Sequence, residues 1–320
     1  MMEKIAVLIP CYNEEKTIEK VVADFRRELP EAVIYVYDNN STDRTAKYAM
    51  RAGAVVRHEY QQGKGNVVRR MFQEIEASCY LMVDGDDTYP AKDARRMVDE
   101  VLYRQKDMVI GDRLSSTYFS ENRRLFHNTG NRLVRWCINF LFQSDIKDIM
   151  TGYRAFSYRF VKTFPVLSRQ FEIETEMTVH AVQNNLAVST VFISYRNRPE
   201  GSVSKLNTYK DGIRVLKTIA GLFGNYRPFV CFGTIGAMML AVAAAGMIPV
   251  LNTYFATGLV PQFPTLIVCG FLSIAGMMAF VTGLQLEHIQ KKDRRDFEMN
   301  LLAAMRDERV LCRQNFGGKH

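Results

Sequence analysis

Short apolar runs alternate with longer segments of helical periodicity over the first 110 residues of the chain. The apolar runs predict β-strands at residues 4–9, 33–37, 54–58, 79–83 and 107–110. Between them, apolar residues recur every three or four positions and predict helices at residues 14–29, 44–52, 65–77 and 91–103. This alternation predicts an α/β fold, a mixed and mostly parallel sheet flanked by helices. Such sheets bind their ligands at the carboxyl ends of the strands.

The pattern changes beyond Gly111. It predicts helices at residues 122–142 and 173–184 and strands at residues 151–157 and 187–195. Residues 208–222 place apolar side chains on one side and basic side chains on the other, which is typical of a helix on a membrane surface. Residues 296–311 predict a further amphipathic helix, with Phe297, Leu301, Leu302 and Met305 on its apolar side.

A run of 59 residues, 228–286, contains no Asp, Glu, Lys, Arg or His, although 24% of the whole chain is charged. A hydrocarbon core about 30 Å thick needs roughly 20 apolar helical residues to cross it. The run therefore fits two membrane spans, at residues 229–251 and 263–286, with a turn at residues 252–262. A buried helical hairpin in a soluble protein is the alternative.

Basic residues flank this run on both sides and predict its orientation. Lys205, Lys210, Arg214, Lys217 and Arg227 precede it, and Lys291, Lys292, Arg294 and Arg295 follow it. We expect both flanks and both termini on the cytoplasmic side of an inner membrane. The predicted organisation is a cytoplasmic domain at 1–205, an interface helix at 206–227, a transmembrane hairpin at 228–286 and a cytoplasmic tail at 287–320.

Composition excludes several other classes. The net charge is +8, but the positive charge gathers beside the predicted spans and no nucleic-acid motif accompanies it, so we expect no nucleic-acid partner. The six cysteines show no CxxC spacing and are expected to be free thiols in a reducing cytosol. The apolar stretch at residues 5–9 is too short for a signal peptide and is expected to be a strand.

Polar clusters follow the predicted strands. Asp84, Asp86 and Asp87 lie within four residues after an apolar strand, and oxygen-only ligands of this kind suit Mg²⁺ or Mn²⁺. The segments 9–15 and 38–43 each lead from a strand into a helix, where backbone amides, Asn13 and Asp38 are placed to hold a nucleotide. Lys64, between two glycines, adds a positive charge for a phosphate. Each cluster alone is also explained as a solvated turn or a helix cap.

Together, the four clusters resemble the cytoplasmic family 2 glycosyltransferases of GT-A fold, and the whole chain resembles their polyprenyl-phosphate, dolichyl-phosphate mannose synthase-like branch. Residues 10–15 (PCYNEE), 63–65 (GKG) and 84–86 (DGD) match family motifs, and residues 38–43 (DNNSTD) match the usual DDxSxD except at Asn39. Residues 148–154 (DIMTGYR) and 198–205 (RPEGSVSK) resemble its acceptor-side elements. The two terminal spans also fit bacterial members.

The resemblance implies a set of site residues. Pro10, Tyr12, Asn13, Glu14, Asp38, Lys64 and Asp84 are expected to bind the nucleotide sugar, with Asp84 and Asp86 as ligands of Mg²⁺ or Mn²⁺. Asp86 and Asp148 are the expected catalytic residues, Asp148 either as a base or in positioning the substrate. The candidates for the acceptor phosphate are Arg113, Arg124, Arg198, Ser204 and Lys205. Glu172, Glu174 and Glu176 are expected to be a solvated helix start and are left out of the site; contact of one of them with a sugar hydroxyl is the alternative.

The implied activity is an inverting transfer of one hexose from a nucleotide diphosphate sugar, with a UDP-sugar favoured, to a polyprenyl phosphate. A processive polymer synthase is disfavoured, because Arg135-Trp136 supplies only half of a QxxRW element. Two alternatives are a non-catalytic lipid-binding or translocation-accessory protein and a glycosyltransferase acting on another membrane-bound acceptor. Members of the family often form oligomers, although the sequence by itself shows no interface.

Overall fold

The computed structural model describes residues 2–113, 136, 139–140, 145–167, 173–196 and 227–316. These residues divide into two compact units, one containing the residues up to 196 together with those from Phe297 onward, and the other containing residues 227–296. The strands are β1 (Glu3–Cys11), β2 (Val33–Asp38), β3 (Val55–His58), β4 (Ala77–Met82), β5 (Met108–Asp112), β6 (Arg154–Ser157) and β7 (Val188–Phe192). The helices are α1 (Ile18–Glu28), α2 (Thr45–Arg51), α3 (Lys64–Glu74), α4 (Ala94–Leu102), α5 (Tyr158–Thr163), α6 (Ile173–Gln183), α7 (Pro228–Thr257) and α8 (Phe263–Phe316).

The strands of the described residues form one sheet in the order β3-β2-β1-β4-β6-β5-β7. The pairs β1–β2, β1–β4, β2–β3 and β5–β7 are parallel, whereas β6 runs antiparallel to both β4 and β5. The expected mixed, mostly parallel sheet is therefore confirmed. Because β6 is reversed, its first residue lies at the edge where its neighbours end: Arg154 is opposite both Met82 and Ile110.

Both faces of the sheet are buried, which follows from helices covering each side. On one face, Ile5, Val7 and Ile9 of β1 pack into a core with Phe25 of α1 and Met97 of α4. On the other face, Phe72 of α3 makes edge contacts with the rings of Tyr80, Phe156 and Phe164. Burying each large apolar side chain in this way contributes on the order of 1.5–3 kcal/mol to the free energy of folding.

Several predicted boundaries were wrong, and hydrogen bonds explain the differences. The helix predicted at 65–77 ends at Glu74, where the Lys162 ammonium donates to the carbonyl oxygens of Phe72 and Ile75 (3.0 and 3.1 Å). Ala77 instead starts β4, and its amide donates to the Tyr80 hydroxyl at 2.9 Å. The strand predicted at 187–195 ends at Phe192, after which Ser194 and Arg196 donate backbone bonds to Asp93 and Thr88.

Other bounds differ by several residues. The helix expected from residue 14 begins at Ile18, and the strand expected from residue 151 begins at Arg154. Helix α4 is preceded by a 3₁₀ turn at Ala91–Asp93, and β5 extends to Asp112 because Gly111 and Asp112 pair with β7. The helix predicted at 122–142 is described only at residues 136, 139 and 140, which are helical, and the one at 208–222 lies outside the described residues.

Helices α7 and α8 each contain a segment long and apolar enough to cross a membrane. The predicted turn was too long: α7 continues through residues 252–257, and α8 starts at Phe263 and includes the helix predicted at 296–311. The two helices come very close at Gly236 and Gly276, since a Cβ on Gly236 would lie 2.7 Å from the carbonyl oxygen of Gly276. Small residues at such crossings let helix backbones pack tightly in a membrane.

The last turns of α8 belong to the same compact unit as the sheet. Phe297 is buried, and its ring lies 5.3 Å from the ring of His180 on α6. His180 also meets Phe160 and Phe164 edge-on. Burial lowers the pKa of His180 to about 4, so the ring is neutral at pH 7 and forms part of an aromatic cluster.

We predict that Phe297→Ala lowers the free energy of unfolding by about 3 kcal/mol, because the cavity it leaves also loses the aromatic contacts. The melting temperature of the protein in detergent would fall accordingly. The matched control is Leu302→Ala on the same helix, where the side chain is 59% exposed and little change is expected. Equal shifts for the two variants would contradict the packing described for Phe297.

Candidate active site

The residues predicted to carry chemistry meet at one edge of the sheet. Asp38, the last residue of β2, pairs in register with Cys11 of β1, and Asp84 follows the end of β4. The segment 148–153 reaches the same edge from the opposite direction, because it precedes the reversed strand β6. The chain also leaves β7 at this edge, since Phe192 pairs with Asp112 at the end of β5.

Two loops at this edge are tied together by reciprocal hydrogen bonds. The amides of Asn13, Glu14 and Glu15 donate to Ser41 Oγ, Thr45 Oγ1 and Asp43 Oδ2 at 2.9, 2.8 and 3.1 Å. In return, the Asn13 and Glu15 side chains accept from the amides of residues 42 and 44 at 2.8 and 3.0 Å. The amides expected to face a nucleotide are thus used to fix the shape of the loops. The delayed start of α1 follows from the same bonds.

Asp38 lies beneath these loops and is almost completely buried. Its Oδ2 accepts from the amide of Ser41 at 3.3 Å and lies 3.3 Å from Nδ1 of His58. Its Oδ1 is buried and has no hydrogen-bond partner among the described residues. Buried carboxylate oxygens are normally hydrogen-bonded, so an oxygen left in this way is suited to accept from a ligand.

Lys64 is held between two carboxylates. Its ammonium lies 2.6 Å from Asp84 Oδ1 and 2.6 Å from Glu174 Oε1, and only 9% of its side chain is exposed. Burial alone would lower the pKa of Lys64, but Asp84 and Glu174 raise it above its usual value. The lysine therefore stays charged and joins α3, the end of β4 and the start of α6.

Residues 84–88 form a turn after β4, here called the acidic turn, and its other two carboxylates have different surroundings. Asp86 Oδ1 accepts from the amide and the hydroxyl of Thr88 at 3.2 and 2.6 Å. Asp87 forms ion pairs with Lys20 at 2.7 Å and with Arg196 at 3.4 Å. Arg196 also donates its amide to the carbonyl of Thr88 at 2.9 Å. The segment that follows β7 is thereby attached directly to the acidic turn.

Asp148 pairs with Arg113 in a buried position. Nε of Arg113 lies 2.9 Å from Asp148 Oδ2, and its guanidinium also donates to the carbonyl of Met150 at 3.2 Å and the hydroxyl of Tyr89 at 3.4 Å. Burial raises the pKa of Asp148, and the Arg113 charge opposes this effect. Oδ1 of Asp148 is buried without a hydrogen-bond partner among the described residues. The pair joins Arg113, a candidate ligand of the acceptor phosphate, to Asp148, a candidate catalytic residue.

Arg154 fixes the backbone of the segment that carries Asp148. This arginine is completely buried and donates to the carbonyl oxygens of Ile149 and Thr151 and to the Thr178 hydroxyl. Burial lowers its pKa to about 10, so it remains charged at pH 7. Gly152 in the same segment lies against Asp84, since a Cβ there would be 2.3 Å from Asp84 Oδ2.

The fit of a divalent cation depends on Asp84 and Asp86, two of the three carboxylates of the acidic turn. No group of three or more His, Cys, Asp or Glu side chains in the described part of the chain is arranged to hold a metal ion. Mg²⁺ usually binds through one or two carboxylates together with substrate phosphates, and it keeps several waters. Asp84 and Asp86, which follow β4, supply the two carboxylates that such a shared site uses, and Asp84 Oδ1 is already 2.6 Å from the Lys64 ammonium.

The structure brings most of the predicted site residues to this edge: Pro10, Tyr12, Asn13, Glu14, Asp38, Lys64, Asp84, Asp86, Arg113 and Asp148. The other four, Arg124, Arg198, Ser204 and Lys205, lie outside the described residues. Glu174 was wrongly assigned to a solvated helix start, since it is buried against Lys64. Its own segment gives no signal of this contact, because the carboxylate that pairs with a buried lysine can come from any part of the chain.

We predict that Arg154→Lys lowers the free energy of unfolding by about 2–4 kcal/mol, because one ammonium cannot reach the acceptors that the guanidinium fork satisfies. The control is Arg104→Lys, which keeps an exposed pair with Glu100 and is expected to change stability by less than about 0.5 kcal/mol. Melting temperatures in detergent compare the two. Equal stability of both variants would show that Arg154 is dispensable for this loop.

Comparisons with known proteins identify the family of this chain. Residues 6–164 match the family described as Glycosyl transferase family 2. The glycosyltransferase AglJ of Haloferax volcanii is 36% identical over 235 residues, which cover 73% of this chain and 77% of AglJ. A dolichyl-phosphate hexose transferase of the same organism is 27% identical over 217 residues, which cover 68% of this chain and 92% of that protein.

A solved structure shows the same fold. The crystal structure of glucosyl-3-phosphoglycerate synthase from Mycobacterium tuberculosis matches with a TM-score of 0.55 and 19% identity, over 68% of this chain and 81% of that one. That enzyme has also been crystallised with Mn²⁺, UDP-glucose and phosphoglyceric acid. The fold is of the GT-A type, and the chain belongs to glycosyl transferase family 2.

Proposed function

We propose that the protein transfers a single hexose, with inversion, from a UDP-sugar to a polyprenyl phosphate at the cytoplasmic face of a membrane. UDP-glucose and UDP-N-acetylglucosamine are the favoured donors. The product is a polyprenyl-phosphate sugar used in cell-envelope glycan assembly or lipid modification. The relative named as a dolichyl-phosphate hexose transferase supports a lipid phosphate acceptor.

One observation carries the proposal more than any other. The chain leaves the candidate site at Arg196, which is bonded to Thr88 and Asp87 of the acidic turn. Two residues later it enters the basic element 198–205, and it then continues to the first apolar helix, α7. A donor site and a basic element that precedes an apolar span are thus consecutive along one chain. This order suits an acceptor whose phosphate lies at a membrane surface.

The donor side of the reaction is assigned to the loops around Asp38 and Lys64. Asp38 Oδ1, buried without a partner among the described residues, is placed to accept a hydrogen bond from the base or ribose. Lys64 supplies positive charge beside Asp84, where the sugar diphosphate would bind. A divalent cation held by Asp84 and Asp86 would neutralise the departing diphosphate.

The acceptor side needs little base catalysis. A phosphate monoester has a second pKa near 6, so at pH 7 it is largely a dianion and already nucleophilic. The protein's task is to position this phosphate and to balance its charge, for which Arg198, Ser204 and Lys205 are the proposed ligands, with Arg113 and Arg124 as further candidates. Asp148, held by Arg113, is proposed to orient the sugar or the acceptor.

We expect the catalytic unit and both termini in the cytoplasm, with α7 and the first part of α8 as two spans. The basic residues on both sides of the apolar run support this orientation. The anchor keeps the site close to the phosphates of its lipid substrate. Both the orientation and the limits of the interface helix can be tested by cysteine labelling in intact and permeabilised cells.

We predict that Asp86→Asn lowers the rate of transfer by about 100-fold or more, because it removes a charge beside the departing diphosphate while an oxygen remains for Thr88. The assay uses protein in detergent, Mn²⁺, labelled UDP-sugars and undecaprenyl phosphate, with extraction of labelled lipid. Glu31→Gln, an exposed position paired with Arg95 just before β2, at the opposite edge of the sheet, is the control. Full activity of Asp86→Asn, or transfer only to other acceptors, would refute the proposal.

We predict that Arg198→Ala and Lys205→Ala raise the KM for the lipid acceptor by about tenfold and leave the KM for the donor nearly unchanged, because each removes a charge-assisted bond to phosphate. Steady-state kinetics with each substrate varied in turn measures the difference. Lys92→Ala, at an exposed position on the 3₁₀ turn before α4, is the control. An equal rise in both KM values would assign these residues to the donor.

A further inference from the structure

Asn39 lies where the family pattern has a second aspartate, and its side chain makes three hydrogen bonds. Nδ2 donates to the carbonyl oxygens of Glu59 and Gln61 at 2.8 and 2.9 Å. Oδ1 accepts from the amide of Gly63 at 2.7 Å. The residue is almost completely buried, so water does not replace these bonds readily. The Asn39 side chain therefore holds the backbone of Glu59, Gln61 and Gly63 in the loop between β3 and α3.

Only a carboxamide satisfies all three partners. Two of them are carbonyl oxygens, which require a donor, and the third is an amide, which requires an acceptor. Asparagine supplies both in one planar group, whereas ionised aspartate is only an acceptor. An aspartate in this place would keep the bond to Gly63 and turn a negative charge toward two carbonyl oxygens.

The loop held by Asn39 leads directly to Lys64. Gly63 is the residue before α3, and Lys64 is the first residue of that helix. The Lys64 ammonium meets Asp84 and Glu174 at 2.6 Å each, so a small displacement of the loop changes both contacts. Asn39 makes no contact of its own with Asp84 or Glu174 among the hydrogen bonds of the described residues. The side-chain bonds of Asn39 therefore reach Lys64 through the loop.

We propose that Asn39 is a positioning residue for donor binding, and that its carboxamide holds the loop 59–63 so that Lys64 stands beside Asp84. The inference rests on the proposed function, because it assigns the donor diphosphate to the site of Lys64 and Asp84. It also explains why asparagine rather than aspartate at position 39 suits this chain. The second position in this chain serves the loop rather than the nucleotide.

The test is Asn39→Asp, which preserves shape and removes both donors. We expect the KM for the donor UDP-sugar to rise about tenfold or more, and kcat to change by less than about threefold. Direct titration with UDP and with GDP, each with Mn²⁺, measures binding without turnover. The control is Asn184→Asp, where a partly buried amide likewise donates to a carbonyl, that of His180 at 3.0 Å, far from this loop along the chain.

A double-mutant cycle separates positioning from general loss of structure. If Asn39 acts through Lys64, Asn39→Asp should weaken nucleotide binding much less in a Lys64→Met background than in the wild type. Equal weakening in both backgrounds would overturn the inference. Should Asn39→Asp melt far below the wild type, Asn39→Ser, which keeps a single small hydroxyl, repeats the cycle with less charge strain.

The outcomes distinguish this inference from the proposed function. If the wild-type protein binds neither nucleotide, the proposed function fails and the inference fails with it. If the wild type binds a nucleotide and Asn39→Asp binds it equally well, only the inference fails. Weaker binding by Asn39→Asp, normal binding by Asn184→Asp and coupling to Lys64 together would support it.

Discussion

A buried ammonium between two carboxylates holds the candidate site together. Lys64 joins three segments that are far apart in sequence, namely the start of α3, the turn after β4 and the start of α6. Two carboxylates placed this close would repel each other without it, and a buried charge is tolerated only when it is paired. The lysine therefore balances charge within the protein itself, before any ligand is bound. The loops around it are arranged to keep that one group in place.

The reversed strand β6 has an equally direct effect on the site. Because it runs against β4 and β5, the segment before it, rather than the one after it, meets the ends of the other strands. The segment with Asp148 and Gly152 reaches this edge for this reason, and Gly152 lies against Asp84. Arg154, the first residue of β6, then satisfies the carbonyl groups of the approaching loop from within the core. A parallel strand in this position would have carried the same residues to the opposite edge.

Much of this arrangement could be predicted from sequence, because period-two and helical patterns identify strands and helices, and parallel strands gather their carboxyl ends. Residues such as Asp38 and Asp84 were placed at that edge for this reason. Long-range contacts were not predictable in the same way. Glu174 lies 110 positions from Lys64, and nothing local marks it as buried. Similarly, the amide and side chain of Asn13 bond to Ser41 and Thr42 in a second loop, and the sequence around Asn13 does not indicate these contacts.

The contact between Gly152 and Asp84 limits how this site can change over evolution or in a laboratory library. Since a Cβ at position 152 would overlap the Asp84 carboxylate, any larger residue there displaces that carboxylate from its place beside Lys64. A substitution at position 152 therefore also changes the position of the Asp84 carboxylate. A search for new donor preferences should hold this pair constant and diversify the neighbouring loops instead.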